Sequence, residues 1–158
     1  MGMITILPVQ SDEQILAVRG LFLEYAASLG FDLCFQGFER ELAELPGCYA
    51  PPDGRLLLAV DAEENAGCVA LRPLGNGACE MKRLFVRPGH RGQGIGRQLA
   101  LAIIDEARKI SYTRMKLDTI STMEEAIGLY RSIGFVETQP YTHNPIPGAV
   151  FFELGLGE

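Results

Sequence analysis

Apolar residues recur along this chain with two periods, and the switch between them outlines the fold. Met3 to Val9 opens as a short strand, Ile-Thr-Ile-Leu, ended by Pro8. Ser11, with Gln14 three residues on, makes a capping box. Ile15, Val18, Phe22, Tyr25 and Leu29 follow at helical spacing and predict an amphipathic helix that Gly30 ends. Phe38 to Leu45 predicts a second, shorter helix closed by Pro46-Gly47, and the loop from Cys48 to Gly54, with Pro51-Pro52, leads into a sheet.

The period then shortens. Arg55 to Asp61, Gly67 to Leu74 and Ala78 to Arg87 read as strands, joined by turns at Glu63-Glu64-Asn65 and Gly75-Asn76-Gly77, an antiparallel meander. A glycine-spaced loop opens a helix running to about Lys109, with Ile95, Leu99, Ala102 and Ile103 inward. Met115 to Thr119 is a strand reached by a helical crossover, so it should run parallel to the strand before it. Thr122, with Glu125 three on, caps a last helix with Met123, Ala126, Ile127, Tyr130 and Ile133 inside and Gly134 at its end. Phe135 to Thr138 and Ala149 to Leu154 are final strands around a Pro-rich loop from Pro140 to Pro147. One α/β domain over residues 1–158 is expected.

Charge is unevenly spread. The 158 residues carry 14 Lys and Arg against 20 Asp and Glu, a net −6. From Met81 to Ile104 there is no acid but there are Lys82, Arg83, Arg87, Arg91 and Arg97, so this window is +5 and the remainder, with 9 basic and 20 acidic residues, is −11. A net negative chain is unsuited to general nucleic-acid binding. Its apolar runs fall short of a membrane span, and no secretory leader is visible. A cytoplasmic protein is expected, its four cysteines (Cys34, Cys48, Cys68, Cys79) being reduced, buried thiols. Without Cys-x-x-Cys spacing, and with His90 and His143 far apart, no metal site is expected.

The positive window contains the most informative stretch, Glu80-Met81-Lys82-Arg83-Leu84-Phe85-Val86-Arg87-Pro88-Gly89-His90-Arg91-Gly92-Gln93-Gly94-Ile95-Gly96. It is a strand, a Pro-Gly break and a glycine loop opening a helix. Bare backbone amides beside a helix N-terminus form a cradle for a phosphate or pyrophosphate. The glycines are spaced too closely for a dinucleotide fingerprint, and the Gly-Lys-Ser/Thr of a P-loop is absent.

Arg91 to Gly96 matches R/Q-x-x-G-x-G/A, and with Glu80 to Pro88 it resembles the core of the GNAT acetyltransferases. Leu117-Asp118-Thr119 and Ala126 to Phe135, containing Leu129-Tyr130 and Gly134-Phe135, resemble that family's second signature. The likeness spans about Arg55 to Leu154 and extends to the Asn144–Phe152 ending.

That resemblance implies a mixed, mostly antiparallel sheet of six to seven strands with about four helices. Its fourth and fifth strands splay apart around acetyl-CoA, the cosubstrate. Pantetheine would pair with Leu84, Phe85 and Val86, and the pyrophosphate would sit on the amides of Arg91, Gly92, Gln93, Gly94, Ile95, Gly96 and Arg97. The resemblance makes Tyr130, otherwise readable as a core aromatic, the acid at the thioester sulfur. Glu80, otherwise a solvated strand-end carboxylate, becomes the candidate base, acting through water. A backbone N–H near Phe85 or Val86 would meet the carbonyl oxygen. Cys79, adjacent to Glu80 and so facing the other way, reads as a packed thiol rather than a nucleophile. Alternation also puts Lys82, not Arg83, on the side of Glu80. The acceptor, a small-molecule amine, should lie between the first two helices and the Tyr141–Pro147 loop, near Tyr25, Phe35, Phe38 and Tyr141. A protein lysine or N-terminus as acceptor, a sensor without turnover, and a homodimer are left open.

Overall fold

The computed structural model describes residues 3–29 and 37–157. Seven strands form one sheet: β1 (Ile4–Pro8), β2 (Arg55–Asp61), β3 (Glu64–Gly75), β4 (Ala78–Val86), β5 (Arg114–Ile120), β6 (Val136–Thr138) and β7 (Ala149–Gly155). Their order is β1-β2-β3-β4-β5-β7-β6. All neighbours are antiparallel except β4 and β5, which the crossover makes parallel. Four α-helices among the described residues cover the sheet: α1 (Asp12–Ser28), α2 (Phe38–Glu44), α3 (Ile95–Ile110) and α4 (Glu124–Ile133).

Each face of the sheet has its own core. Ile95, Leu99, Ile103 and Ile104 of α3 and Tyr130 of α4 pack on Leu57, Val69, Met81 and Met115. On the opposite face Val18, Leu21 and Phe22 of α1 and Phe38 of α2 pack on Leu56, Leu58, Cys68 and Phe85. Strands buried on both faces read as nearly continuous apolar runs, which is why Arg55 to Asp61 shows no alternation.

Local signals behave as their chemistry requires, with three exceptions. The Ser11–Gln14 capping box forms. Asn76 and Gly77 take φ of 54° and 79°, the paired positive values of a type I′ turn. Gly30 and Phe35 lie outside the described residues, as does Cys34. The first turn of the meander is tighter than expected: β3 begins at Glu64, with Ala62 at φ 57° turning the chain. Thr122 does not cap α4. Met123 occupies that position without a side-chain bond, because the backbone bonds Met123 N–H to Ile120 O and Ser121 N–H to Gly148 O already fix the chain leaving β5. Cys68 and Cys79 are buried free thiols, but Cys48 is exposed on the loop before β2.

Candidate active site

The site is made by two irregularities in β4. Its pairing with β5 stops after three registers, the last being Glu80 with Lys116. Beyond it Met81–Val86 and Leu117–Ile120 diverge, leaving the β4 edge without a partner strand on that side. The second irregularity is a bulge: Ala70 pairs with Lys82 but Cys68 with Phe85, so β4 fits one extra residue, and Arg83 absorbs it at φ 61°. Alternation is reset there. Arg83 therefore shares the Lys82 face instead of opposing it, and is buried with both guanidinium arms on Glu41 of α2 (2.7 and 2.9 Å). The alternation rule failed because it assumes a regular strand.

At the far end of β4 the glycine loop turns into α3. Gly92 and Gly94 both take φ of 80°, so glycine is required there for its backbone conformation, whereas Gly96 is helical and a Cβ would only touch Val86 and Leu129 at ordinary distances. Gly94 is the N-cap of α3 and offers no side-chain acceptor, and the first helical bond runs from Gln98 N–H to Gly94 O. The amides of Ile95, Gly96 and Arg97 are therefore without intrahelical partners at the positive end of the helix.

The positive window is partly neutralised: Arg83 is held by Glu41, and Arg87 pairs with Glu24 at 3.0 Å. Arg91 donates to Val86 O and lies over the Phe85 ring, and Arg97 reaches Ser132 of α4. Both of these keep their charge beside the loop.

A cleft of about 260 Å³ fills the divergence, and Leu84, Val86, Arg91, Gly92, Gly94, Ile95, Gly96 and Tyr130 all line it. Gln93, Phe85 and Arg97 are not on its wall; the Phe85 ring is turned to the opposite core, edge-on to Tyr25. Tyr130 is nearly buried between the rings of Phe135 and Phe152, and burial first, then Tyr25 and Asp118, raises its phenol well above the usual value.

Glu80 is not solvated. It is completely buried, lines neither this cleft nor its neighbour, and both oxygens are engaged: Arg72 Nε donates to Oε1 at 2.5 Å and the Tyr141 hydroxyl to Oε2 at 2.6 Å. Cys79 points away into the core, where its thiol is pushed up to about 12, chiefly by burial.

A second cavity of about 380 Å³ adjoins the first between α2 and Thr142–His143. None of Tyr25, Phe38 and Tyr141 lines it: Tyr25 borders the cleft, Phe38 lies under the Arg83 guanidinium, and Tyr141 packs on Phe151. Charged side chains line it instead, Arg72 and Glu41 among them. Lys82 and Asp118 border both cavities, and Asn144 donates to Asp118 Oδ2 at 2.9 Å. The sequence sets Asp118 and Thr119 at a strand end by the splay, where an acceptor could bind; that Asp118 borders both cavities depends on where the splay begins, which no local pattern encodes. His90 was missed as well. It lines the cleft with Nε2 3.6 Å from Asp61 and 3.5 Å from Glu64, and its buried Nδ1 has no partner among the described residues.

The model of the acetyltransferase (GNAT) family matches residues 3–135. The chain belongs to that family. It is 43% identical over 157 residues to an uncharacterized N-acetyltransferase of Schizosaccharomyces pombe, covering 98% of this chain and 96% of the relative. An IAA acetyltransferase of Azospirillum brasilense is 38% identical over 68% of this chain and 71% of its own length. An acetyltransferase of the GNAT family from Staphylococcus aureus superposes with a TM-score of 0.81 at 21% identity, over 98% of this chain and 99% of the other. A Salmonella typhimurium protein solved with its cofactor acetyl-CoA superposes with a TM-score of 0.71 at 21% identity, over 98% and 95% of the two chains.

The protein is thus an acyltransferase with the acetyl-CoA-binding fold of its family. Its own residues fit that molecule: uncapped helix amides suit a pyrophosphate, and an unpaired strand edge suits an extended amide chain. Among the described residues no group of three or more His, Cys, Asp or Glu could hold a metal ion, and no helix is long and apolar enough to cross a membrane.

Proposed function

We propose that the enzyme acetylates a primary amine of a small molecule by direct attack, with Tyr130 as general acid. The observation that carries this reading is the meeting of Tyr130 with the uncapped start of α3 in one cleft at the β4–β5 divergence. Acetyl-CoA supplies an acetyl thioester there. The amides of Ile95, Gly96 and Arg97 hold its pyrophosphate, the edge of Leu84–Val86 holds its pantetheine, and an N–H near Phe85 or Val86 donates to the acetyl carbonyl.

Tyr130 then faces a sulfur that must leave with a proton. Burial raises the phenol, which alone would make it a weaker acid. The same dry surroundings raise a thiol too, as Cys79 shows on this chain at about 12. Donor and departing sulfur are therefore raised together, so the weaker acid meets a more basic thiolate, and each unit of mismatch costs about 1.4 kcal/mol.

Glu80 remains the base implied by the strand it stands on. Sealed by Arg72 and Tyr141 and off both cavity walls, it would take the amine's proton only by way of water. Asp118 is the second candidate, favoured by its place on both cavity walls, where it needs no relay.

Thiol release from acetyl-CoA across a panel of small amines, peptides and proteins tests the reading. Release that requires a small amine is expected. Cofactor binding without release for any acceptor would make the chain a binding protein, and release with peptides or proteins alone would move the acceptor to a macromolecule.

A further inference from the structure

The glycine loop begins one residue after a histidine that stands against two carboxylates. His90 lines the cofactor cleft, with Nε2 3.6 Å from Asp61 Oδ2 and 3.5 Å from Glu64 Oε1. Asp61 closes β2 and is largely buried, whereas Glu64 opens β3 and is mostly exposed, so Asp61 supplies the less screened charge. On the turn that carries His90, Arg87 is paired with Glu24, while Arg91 donates to Val86 O. Arg97, on α3, reaches Ser132. An anion bound on this loop is therefore held close to a carboxylate of its own sign.

The two ring nitrogens have different surroundings. Facing carboxylate oxygens, Nε2 is assigned the N–H, because a bare lone pair there would meet negative charge. Nδ1 is buried and has no hydrogen-bond partner among the described residues. It accepts no N–H that a proton would displace. A second proton on the ring therefore has one place to go and breaks no bond in going there.

We infer that His90 is a positioning residue of the cofactor loop and takes up a proton as coenzyme A binds. The proton passes from solvent to Nδ1, and the imidazolium that forms offsets the Asp61 charge beside the incoming anion. Histidine is the side chain suited to this, since its charge changes within the neutral range. The inference rests on the reading above that the pyrophosphate occupies the amides of Ile95, Gly96 and Arg97. The direction is set by charge: the anion favours the cationic ring, so affinity is fullest in mild acid. It falls as pH rises, because binding must then draw the proton from a more dilute supply.

Proton uptake can be measured without turnover. Calorimetry of coenzyme A binding in buffers of different ionisation enthalpy counts the protons exchanged. The 3′-phosphate of coenzyme A also titrates, with a second pKa of about 6, so the quantity to read is the difference between native protein and His90→Gln. Native protein should take up more protons near neutrality, and its Kd should rise severalfold more between mildly acidic and mildly alkaline pH. Asp61→Asn removes the charge that the proton offsets. It should lower the uptake and tighten binding at the alkaline end, whereas a purely structural role would weaken binding at every pH. Thermal melting verifies that both variants are folded, and if His90→Gln is not, Asp61→Asn decides.

Equal uptake in native protein and folded His90→Gln, parallel Kd–pH curves, or weaker binding by Asp61→Asn throughout would each overturn the inference. Coenzyme A that binds without a proton dependent on His90 sinks this inference and leaves the acetyl-CoA site standing. Coenzyme A that binds at no pH removes that site and the inference with it.

Discussion

Tyr130 and Glu80 show how burial assigns different work to two ionisable groups in one site. Removing water from a neutral phenol costs little and keeps it protonated, so Tyr130 remains an acid across the neutral range and beyond its ordinary pKa of about 10. Tyr130→Phe should therefore lower kcat by about 100-fold, within the span of a positioned proton donor. Because the raised pKa lies on the alkaline side, the native profile should show no loss from Tyr130 below about pH 10. A kcat unchanged in the phenylalanine variant, read by thiol release, would return Tyr130 to the core. Glu80 is a carboxyl group without water, its two oxygens bonded by Arg72 and Tyr141. If it is the base, Glu80→Gln should slow the enzyme most at moderate pH and recover partly at high pH, where the amine is already neutral. If Asp118 takes the proton, Asp118→Asn shows that recovery and Glu80→Gln gives a profile parallel to the native enzyme. Full pH–rate curves for both variants separate the two.

At the scale of elements, the glycine loop and the β4 bulge do the placing. Gly94 must adopt φ 80° for the loop to hand its amides to the start of α3. A Cβ there meets no protein atom within 4 Å, so the first cost of a side chain is conformational, about 1–2 kcal/mol in the left-handed region. Gly94→Val should weaken coenzyme A binding well over tenfold by turning those amides. Unchanged affinity by calorimetry would mean that the pyrophosphate lies elsewhere. This loop was legible in the sequence because its chemistry is local: glycine spacing, strand before, helix after. The meander, the capping box and the parallel crossover were legible for the same reason. The bulge was not. Arg83 is an ordinary residue in an apolar strand, and its positive φ is imposed by pairing with β3 and by Glu41 on another element, 42 residues away. The burial of Glu80 was not legible either: its partners, Arg72 on β3 and Tyr141 in the Pro-rich loop, meet only in three dimensions.

For the molecule as a whole, the consequence is a sheet whose two halves are joined by little backbone. β4 and β5 share three register pairs, and β5, β7 and β6 continue on the far side. What keeps the halves together is α3 and α4 packed beneath the gap and Tyr141 reaching back across it to Glu80. A ligand that pairs with the β4 edge while resting on α3 and touching α4 would bridge those parts, so binding should stiffen the fold as well as fill a site. At a coenzyme A concentration of about 100 times Kd, linkage alone adds about 2.7 kcal/mol to unfolding stability. For a domain of this size that raises Tm by about 5–10 °C. The distribution of the effect is the sharper test. Deuterium exchange with and without coenzyme A should slow at Leu84–Val86 and at Ile95–Arg97, the amides given to pantetheine and pyrophosphate, and remain unchanged along β1 and β2. Protection centred instead on α2 and Thr142–His143 would put coenzyme A in the second cavity and would reverse the order of the two sites along the splay.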